Sequence, residues 1–240
     1  MVLGETGQFP PSVDCIINVA KYFNRICHMN DNCLVKRVYK ELSVLQSCGF
    51  DTWCGRAREL LQKYSILPNP NIKSHKQYVK SLIRNEYIKN WHENIQNHHK
   101  NPICRTYSLF KVKFQMENYL NSISDPKLRR SIVKFRLSSH ALGVEKCRHK
   151  RSIGQENISN ICSTCNVIED EKHFILHCLR YSNEREHFLN KTLLDNSHFH
   201  NLNDNDKMMH IMNLEQKHHL VELGKFIHNG FIIHSNVLDR

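Results

Sequence analysis

Between Cys162 and Cys178 the chain places three thiols and two imidazoles in the stretch CSTCNVIEDEKHFILHC, at the spacing Cys-x2-Cys-x7-His-x4-Cys. No other feature restricts the fold as strongly. A Cys-x2-Cys pair lets a tight turn aim two thiolates at one ion. A histidine and a further ligand from the next segment then complete a tetrahedron suited to Zn2+. Four protein ligands leave no position open for water, so the expected role of the metal is structural. Cys162, Cys165 and His173 are the first three ligands, and the fourth is open at this level. His177 shares a face with His173 on a regular α-helix, whereas a residue five positions on diverges by roughly 140°. An unwound turn would let the Cys178 thiolate swing in instead, and soft ligands bind zinc well.

The rest of the chain reads as helical. Val13, Ile16, Ile17, Ala20, Phe23 and Cys27 recur at helical spacing behind Pro10-Pro11, a pair tolerated only where a helix starts. Asp31 is the expected cap of a second helix with a stripe of Leu34, Val38, Leu42 and Leu45, closed by Cys48-Gly49. A third runs from Thr52 until ILPNPN breaks the chain at Pro68 and Pro70, and a fourth, from about Lys73 to Ile95, repeats Val79, Ile83, Tyr87, Trp91 and Ile95. RTYSLFKVKFQMENYL reads as a short helix and turn. DPKLRRSIVKFRLSSHAL reads as a helix with Leu128, Ile132, Phe135 and Leu142 on one side. YSNEREHFLNKTLL, KMMHIM and HHLVELGKFIHNGFII supply further helical patterns, and no alternating run suggests a strand. The expected fold is all-α, a multi-helix domain with a small inserted zinc-knuckle-like module. Three segments are expected: 1–67, 72–151 carrying a basic helix, and 158–240 carrying the module and the C-terminal helices.

Charge narrows the function. Lys and Arg outnumber Asp and Glu by 34 to 23, a formal charge of +11, which favours a polyanionic partner and nucleic acid first. Nine cations stand between Lys127 and Arg151 against one acid, Glu145: Lys127, Arg129, Arg130, Lys134, Arg136, Lys146, Arg148, Lys150 and Arg151. They flank the apolar stripe rather than interrupt it, which suits a phosphate track. Glu169-Asp170-Glu171, inside the cysteine module, would repel phosphate. The other seven cysteines are scattered, and MVLGETGQFPPS lacks a basic stretch followed by an apolar run, so a reducing, intracellular compartment is expected. No apolar stretch approaches the ~18 residues of a membrane span, and no membrane partner is expected.

Taken in order, RTYSLFK, KFRLSSHALGVEKCRH and CSTC-x7-HFILHC-LRY resemble the C-terminal region of non-LTR retrotransposon reverse transcriptases, particularly jockey-like elements. GETGQFPPS, KYFNR, LVKRVYKEL and GFDTW are similar to the helical segment after the polymerase thumb in the same proteins. The resemblance implies a Cys-Cys-His-Cys ligand set at Cys162, Cys165, His173 and Cys178, with His177 a bystander. It also implies an accessory, nuclear role: holding RNA and/or DNA beside a reverse transcriptase core supplied elsewhere. Cys147 and His149 stand where the family tends to carry glycine and an aromatic. The Tyr-x-Asp-Asp loop of a polymerase palm occurs nowhere in the 240 residues, so the chain is not expected to be catalytic. Asp206-x8-Glu215-x-Lys217 superficially offers a nuclease's carboxylates and lysine, but its surroundings read as helical and polar. The alternatives to nucleic-acid binding are a zinc-dependent protein-interaction module and a decayed transposon relic.

Overall fold

A computed structural model of the chain describes residues 1–69, 72–154, 159–192, 194 and 197–238. Among them the fold is all-α. The helices are α1 (Val2–Thr6), α2 (Pro11–Cys27), α3 (Leu34–Ser47), α4 (Trp53–Lys63), α5 (Ile72–Gln96), α6 (Tyr107–Phe110) and α7 (Asn118–Ser122). After these come α8 (Pro126–Arg136), α9 (Gly143–Ser152), α10 (Ser182–Thr192), α11 (Ser197–Asn201), α12 (Asp204–Met212) and α13 (Lys217–Leu238). Extended pairing among these residues is limited to two isolated bridges, Thr6 with Met116 and Ile161 with Ile168. The chain forms two compact units, Gln8–His92 and a second built from Met1–Gly7 with Glu93–Arg240. The division falls within α5, and the proline break expected to separate segments lies inside the first unit. Pro70, Leu193 and position 158 lie outside the described residues.

In the Gln8–His92 unit the expected face of α2 is the core. Val13, Ile17, Ala20 and Phe23 pack with Ala57 and Leu61 of α4, Ile66, and Val79 and Ile83 of α5. Pro11 opens α2 at its first turn, and the Thr52 hydroxyl caps α4 by accepting from the Gly55 N–H at 3.3 Å. α3 departs from expectation. It has no buried residue, and Leu34, Val38 and Leu45 stand exposed. Its anchors are polar and aromatic instead: Lys36 Nζ donates to the carbonyls of Ile26 and Cys27, and Tyr39 packs edge-on against Phe23. Cys33, not Asp31, sits at its N-cap, while Asp31 pairs with Lys40 at 2.9 Å.

The spine of the other unit is α13, against which α8 and α10 pack. Phe188 of α10 stacks on Phe226 of α13 with ring centroids 5.4 Å apart. At Gly230 an added Cβ would lie 2.5 Å from the Phe174 ring, so glycine lets that ring press against the helix backbone. α8 begins at Pro126 with Asp125 capping the Lys127 N–H at 2.7 Å. It ends at Arg136, earlier than the apolar stripe suggested. Ser138 takes φ 50°, and Leu142 becomes the N-cap of α9.

Candidate metal centre

The metal module hangs between α9 and α10. Cys162 N–H donates to the Val167 carbonyl at 2.8 Å and Asn166 N–H to the Cys162 carbonyl at 2.9 Å, closing the CSTCN turn with Asn166 at φ 56°. His173–His177 then form a π-helical turn, closed by the Cys178 N–H on the His173 carbonyl at 2.7 Å. Five-residue closure sets which side chain joins the cluster. Cys178 leaves the wider turn in extended conformation, φ −60° and ψ 124°, and its thiol turns inward. His177 points away, its Nε2 2.7 Å from Asp204 Oδ2, with about half its side chain exposed.

The donor atoms of Cys162, Cys165, His173 and Cys178 all lie within 4.8 Å of one another. Cys178 Sγ is 3.8 Å from Cys162 Sγ and 3.9 Å from Cys165 Sγ. A tetrahedron with metal–sulfur bonds of about 2.3 Å has sulfur–sulfur edges of about 3.8 Å, whereas a disulfide would bring the sulfurs to about 2 Å. His173 Nε2 is buried without a hydrogen-bond partner, as an imidazole aimed at a cation would be. The cluster could therefore hold a metal ion through three sulfurs and one nitrogen.

Electrostatics agree with that geometry. Burial raises the Cys178 thiol, and the neighbouring Cys162 adds to it, pushing the group up to about 12. Burial also opposes ionisation of Cys162, but donation from the Thr164 and Cys165 backbone N–H groups outweighs it and holds that thiol below its ordinary value. Burial lowers the His173 imidazole, keeping it neutral and fit to ligate. A divalent cation would relieve the thiolate repulsion these shifts express.

Side chains beyond the ligands hold the module. Arg180 donates through Nη2 to Ser163 Oγ at 2.6 Å and through Nε to Thr164 Oγ1 at 3.1 Å, clamping the Cys-x2-Cys turn, and Arg185 Nη2 holds the Cys178 carbonyl at 3.0 Å. Phe174 fills an aromatic cluster with Phe135, Tyr181, Phe226 and Phe231 at centroid distances of 4.6–6.0 Å.

The acidic loop is largely interior. Glu169 Oε2 accepts from Gly143 N–H at 2.9 Å and its carbonyl accepts from Val144 N–H at 3.1 Å, so a remote carboxylate caps α9. Gly143 is required there, because a Cβ would meet the Asn160 carbonyl oxygen at 2.9 Å. Glu171 accepts from Thr106 Oγ1 at 3.0 Å, Ser138 Oγ at 2.8 Å and Arg105 Nη2 at 3.2 Å, and lies 3.2 Å from His140 Nε2. Burial alone would raise that carboxyl, but His140 and Ser138 hold it at about 2. Sequence reasoning missed these roles. The available signal was that both RTYSLFK and FRLSSHAL carry hydrogen-bonding groups embedded in apolar context.

The basic track divides. Lys127, Arg130, Lys134, Lys150 and Arg151 are exposed. Arg129 Nη1 is turned to the Ile123 carbonyl at 3.1 Å, and Arg148 is paired with Glu145. Lys146 is half-buried, and burial lowers its ammonium. Arg136 does not belong to a surface track. It is 1% exposed, forked onto Glu5 at 2.8 and 3.1 Å, 2.9 Å from Glu117 Oε2, and donating to the Met212 carbonyl at 2.8 Å. Periodicity placed it beside the apolar stripe, but the carboxylate of Glu5, 131 residues earlier, draws it inside.

Among described residues no helix is long and apolar enough to cross a membrane. No protein-family model matches the chain, and no curated protein or solved structure matches it.

Proposed function

We propose that the chain is a zinc-stabilised, non-catalytic nucleic-acid-binding region similar to the C-terminal part of a non-LTR retrotransposon reverse transcriptase, working in the nucleus beside a polymerase core. Three sulfurs and one imidazole favour Zn2+ over harder cations, and a shell closed by four protein ligands assigns it a structural task. The observation that carries the reading is the coexistence of that centre with five exposed cations on α8 and α9 that make no ion pair among the described residues, Lys127, Arg130, Lys134, Lys150 and Arg151. Phosphate contacts release counterions, so binding to single strands weakens with a slope of about −0.7 in log affinity against log salt per contact. Fluorescence anisotropy of labelled RNA and DNA strands across a salt series tests this. A slope near zero, or no binding at low salt, overturns it.

The exposed stripe of α3 favours a second reading, a protein-interaction module that docks an acidic amphipathic helix. Lys36, Arg37 and Lys40 stand on α3 against the single acid Glu41, beside an apolar groove lined by Tyr22, Ile26, Leu34, Val38, Leu42 and Trp53. Saturable binding of such a helix by a chain that ignores nucleic acid would establish this reading instead.

A further inference from the structure

One face of α9 carries Val144, Cys147, Arg148 and Arg151, at the i, i+3, i+4, i+7 spacing that lines a single side of a helix. It forms one wall of a pocket of about 350 Å³, whose other walls are His98, Pro102, Arg105 and Asn160. Segments far apart in sequence thus bring three guanidinium groups to one concavity, which is large enough for a small ligand.

Two of the three are held by acids on one side. Arg105 Nη2 lies 3.2 Å from buried Glu171 and 3.7 Å from Asp170, and Arg148 Nη1 pairs with buried Glu145, yet Arg105 keeps 45% and Arg148 29% of its side chain exposed. A guanidinium has five donors in a rigid fork, so one anchored edge fixes its orientation and leaves other donors for a ligand. Arg151 makes no ion pair among the described residues and is exposed. The pocket is also chemically graded. Val144 and Pro102 offer apolar surface, the His98 ring is fixed by a 2.8 Å bond between Nε2 and Ser108 Oγ, and the guanidinium groups supply anion-binding forks.

We propose that this pocket receives one nucleotide splayed from a single-stranded nucleic acid. Its phosphate is held by Arg151 with the free edges of Arg105 and Arg148, and its base lies against Val144, Pro102 and His98. The proposal rests on the nucleic-acid-binding reading and adds to it a place and a strand preference. A duplex keeps its bases stacked and paired, whereas a single strand can turn one out into a concavity. The acids do not annul the site: Glu145 and Glu171 are buried behind the arginines, and Glu169 is spent on the α9 N-terminus.

The test uses the full, zinc-loaded chain and short fluorescein-labelled oligouridylate, oligothymidylate and a duplex of equal length, at one fixed salt concentration. Arg151→Gln removes an exposed charge that makes no ion pair among the described residues, and an unchanged thermal melt will show that it folds. Lys134→Gln removes the same charge from α8, outside the pocket. Arg151→Gln is expected to weaken single-strand binding about tenfold, and Lys134→Gln by less than about threefold. The duplex is expected to bind more weakly than either strand and to respond equally to the two substitutions. The uridylate and thymidylate arms tell RNA from DNA as the source of the nucleotide. If single strands bind but the two substitutions cost the same, or the duplex binds as tightly, the pocket assignment is overturned while nucleic-acid binding stands. If nothing binds at low salt, both fall together.

Discussion

Replacing Arg136 by glutamine separates a structural arginine from a phosphate-binding one. The side chain is interior and makes contacts at 2.8–3.1 Å with Glu5, Glu117 and the Met212 carbonyl, over the rings of Phe110 and Tyr119. Arg136→Gln leaves the Glu5 and Glu117 carboxylates with Lys111 and the Tyr119 and Tyr107 hydroxyls among their remaining partners. Breaking a buried ion pair from one side costs about 3–5 kcal/mol, because the surviving charge stays desolvated. For a chain of this size, each kcal/mol moves Tm by roughly 2–4 °C, so a fall of about 10 °C is expected by circular dichroism. Arg130→Gln, on an exposed position of the same helix, should change stability by less than about 0.5 kcal/mol. Below the melting transition, Arg136→Gln should bind oligonucleotide as the parent does. Reversed outcomes, with Arg136→Gln melting normally and losing binding, would place Arg136 at the phosphate surface instead of in the core.

The π-helical turn brings the Cys178 thiol into the cluster and leaves His177 outside it. Cys178→Ser should weaken metal affinity by more than the roughly 10- to 100-fold that loss of an outer partner costs, while His177→Ala leaves it nearly unchanged, as competition with a chromophoric chelator will measure. Glu169 is predicted to confer pH-dependent stability. Burial would raise its carboxyl, but His234, the Gly143 N–H and Arg180 outweigh burial and hold it below the ordinary value. Its stabilisation is therefore complete above the ordinary glutamate range and is lost as pH falls through the lowered folded value. Glu169→Gln should lower Tm at neutral pH by the equivalent of about 1–3 kcal/mol and flatten the acid limb of the stability curve; an unchanged acid limb contradicts the capping role.

Helix positions were legible because periodicity reports a buried face directly. Val13, Ile17, Ala20 and Phe23 illustrate this. The cysteine and histidine spacing was legible for the same reason: ligands must be near in sequence to be aimed by one turn. What sequence concealed depends on distant partners. α3 carries a regular apolar stripe but leaves Leu34, Val38 and Leu45 in solvent, because Lys36 and Tyr39 fix the helix by another side. A row of cations looked uniform until Glu5 and Glu145 claimed Arg136 and Arg148. Glu169 and Glu171 read only as an acidic loop that would repel phosphate, yet they cap α9 and join Ser138, His140 and Thr106. The choice between His177 and Cys178 turned on whether the turn closes at four or five residues, a difference that composition does not encode.

A closed metal centre of three thiolates and one imidazole is proposed to organise the module between α9 and α10. X-ray absorption at the zinc edge, on the full chain loaded with one equivalent of Zn2+, reads that shell directly. Three sulfur scatterers at about 2.3 Å and one nitrogen at about 2.0 Å are expected, with no water oxygen. Two sulfurs with two nitrogens would put His177 in place of Cys178, and a shell containing oxygen would contradict a closed structural site altogether.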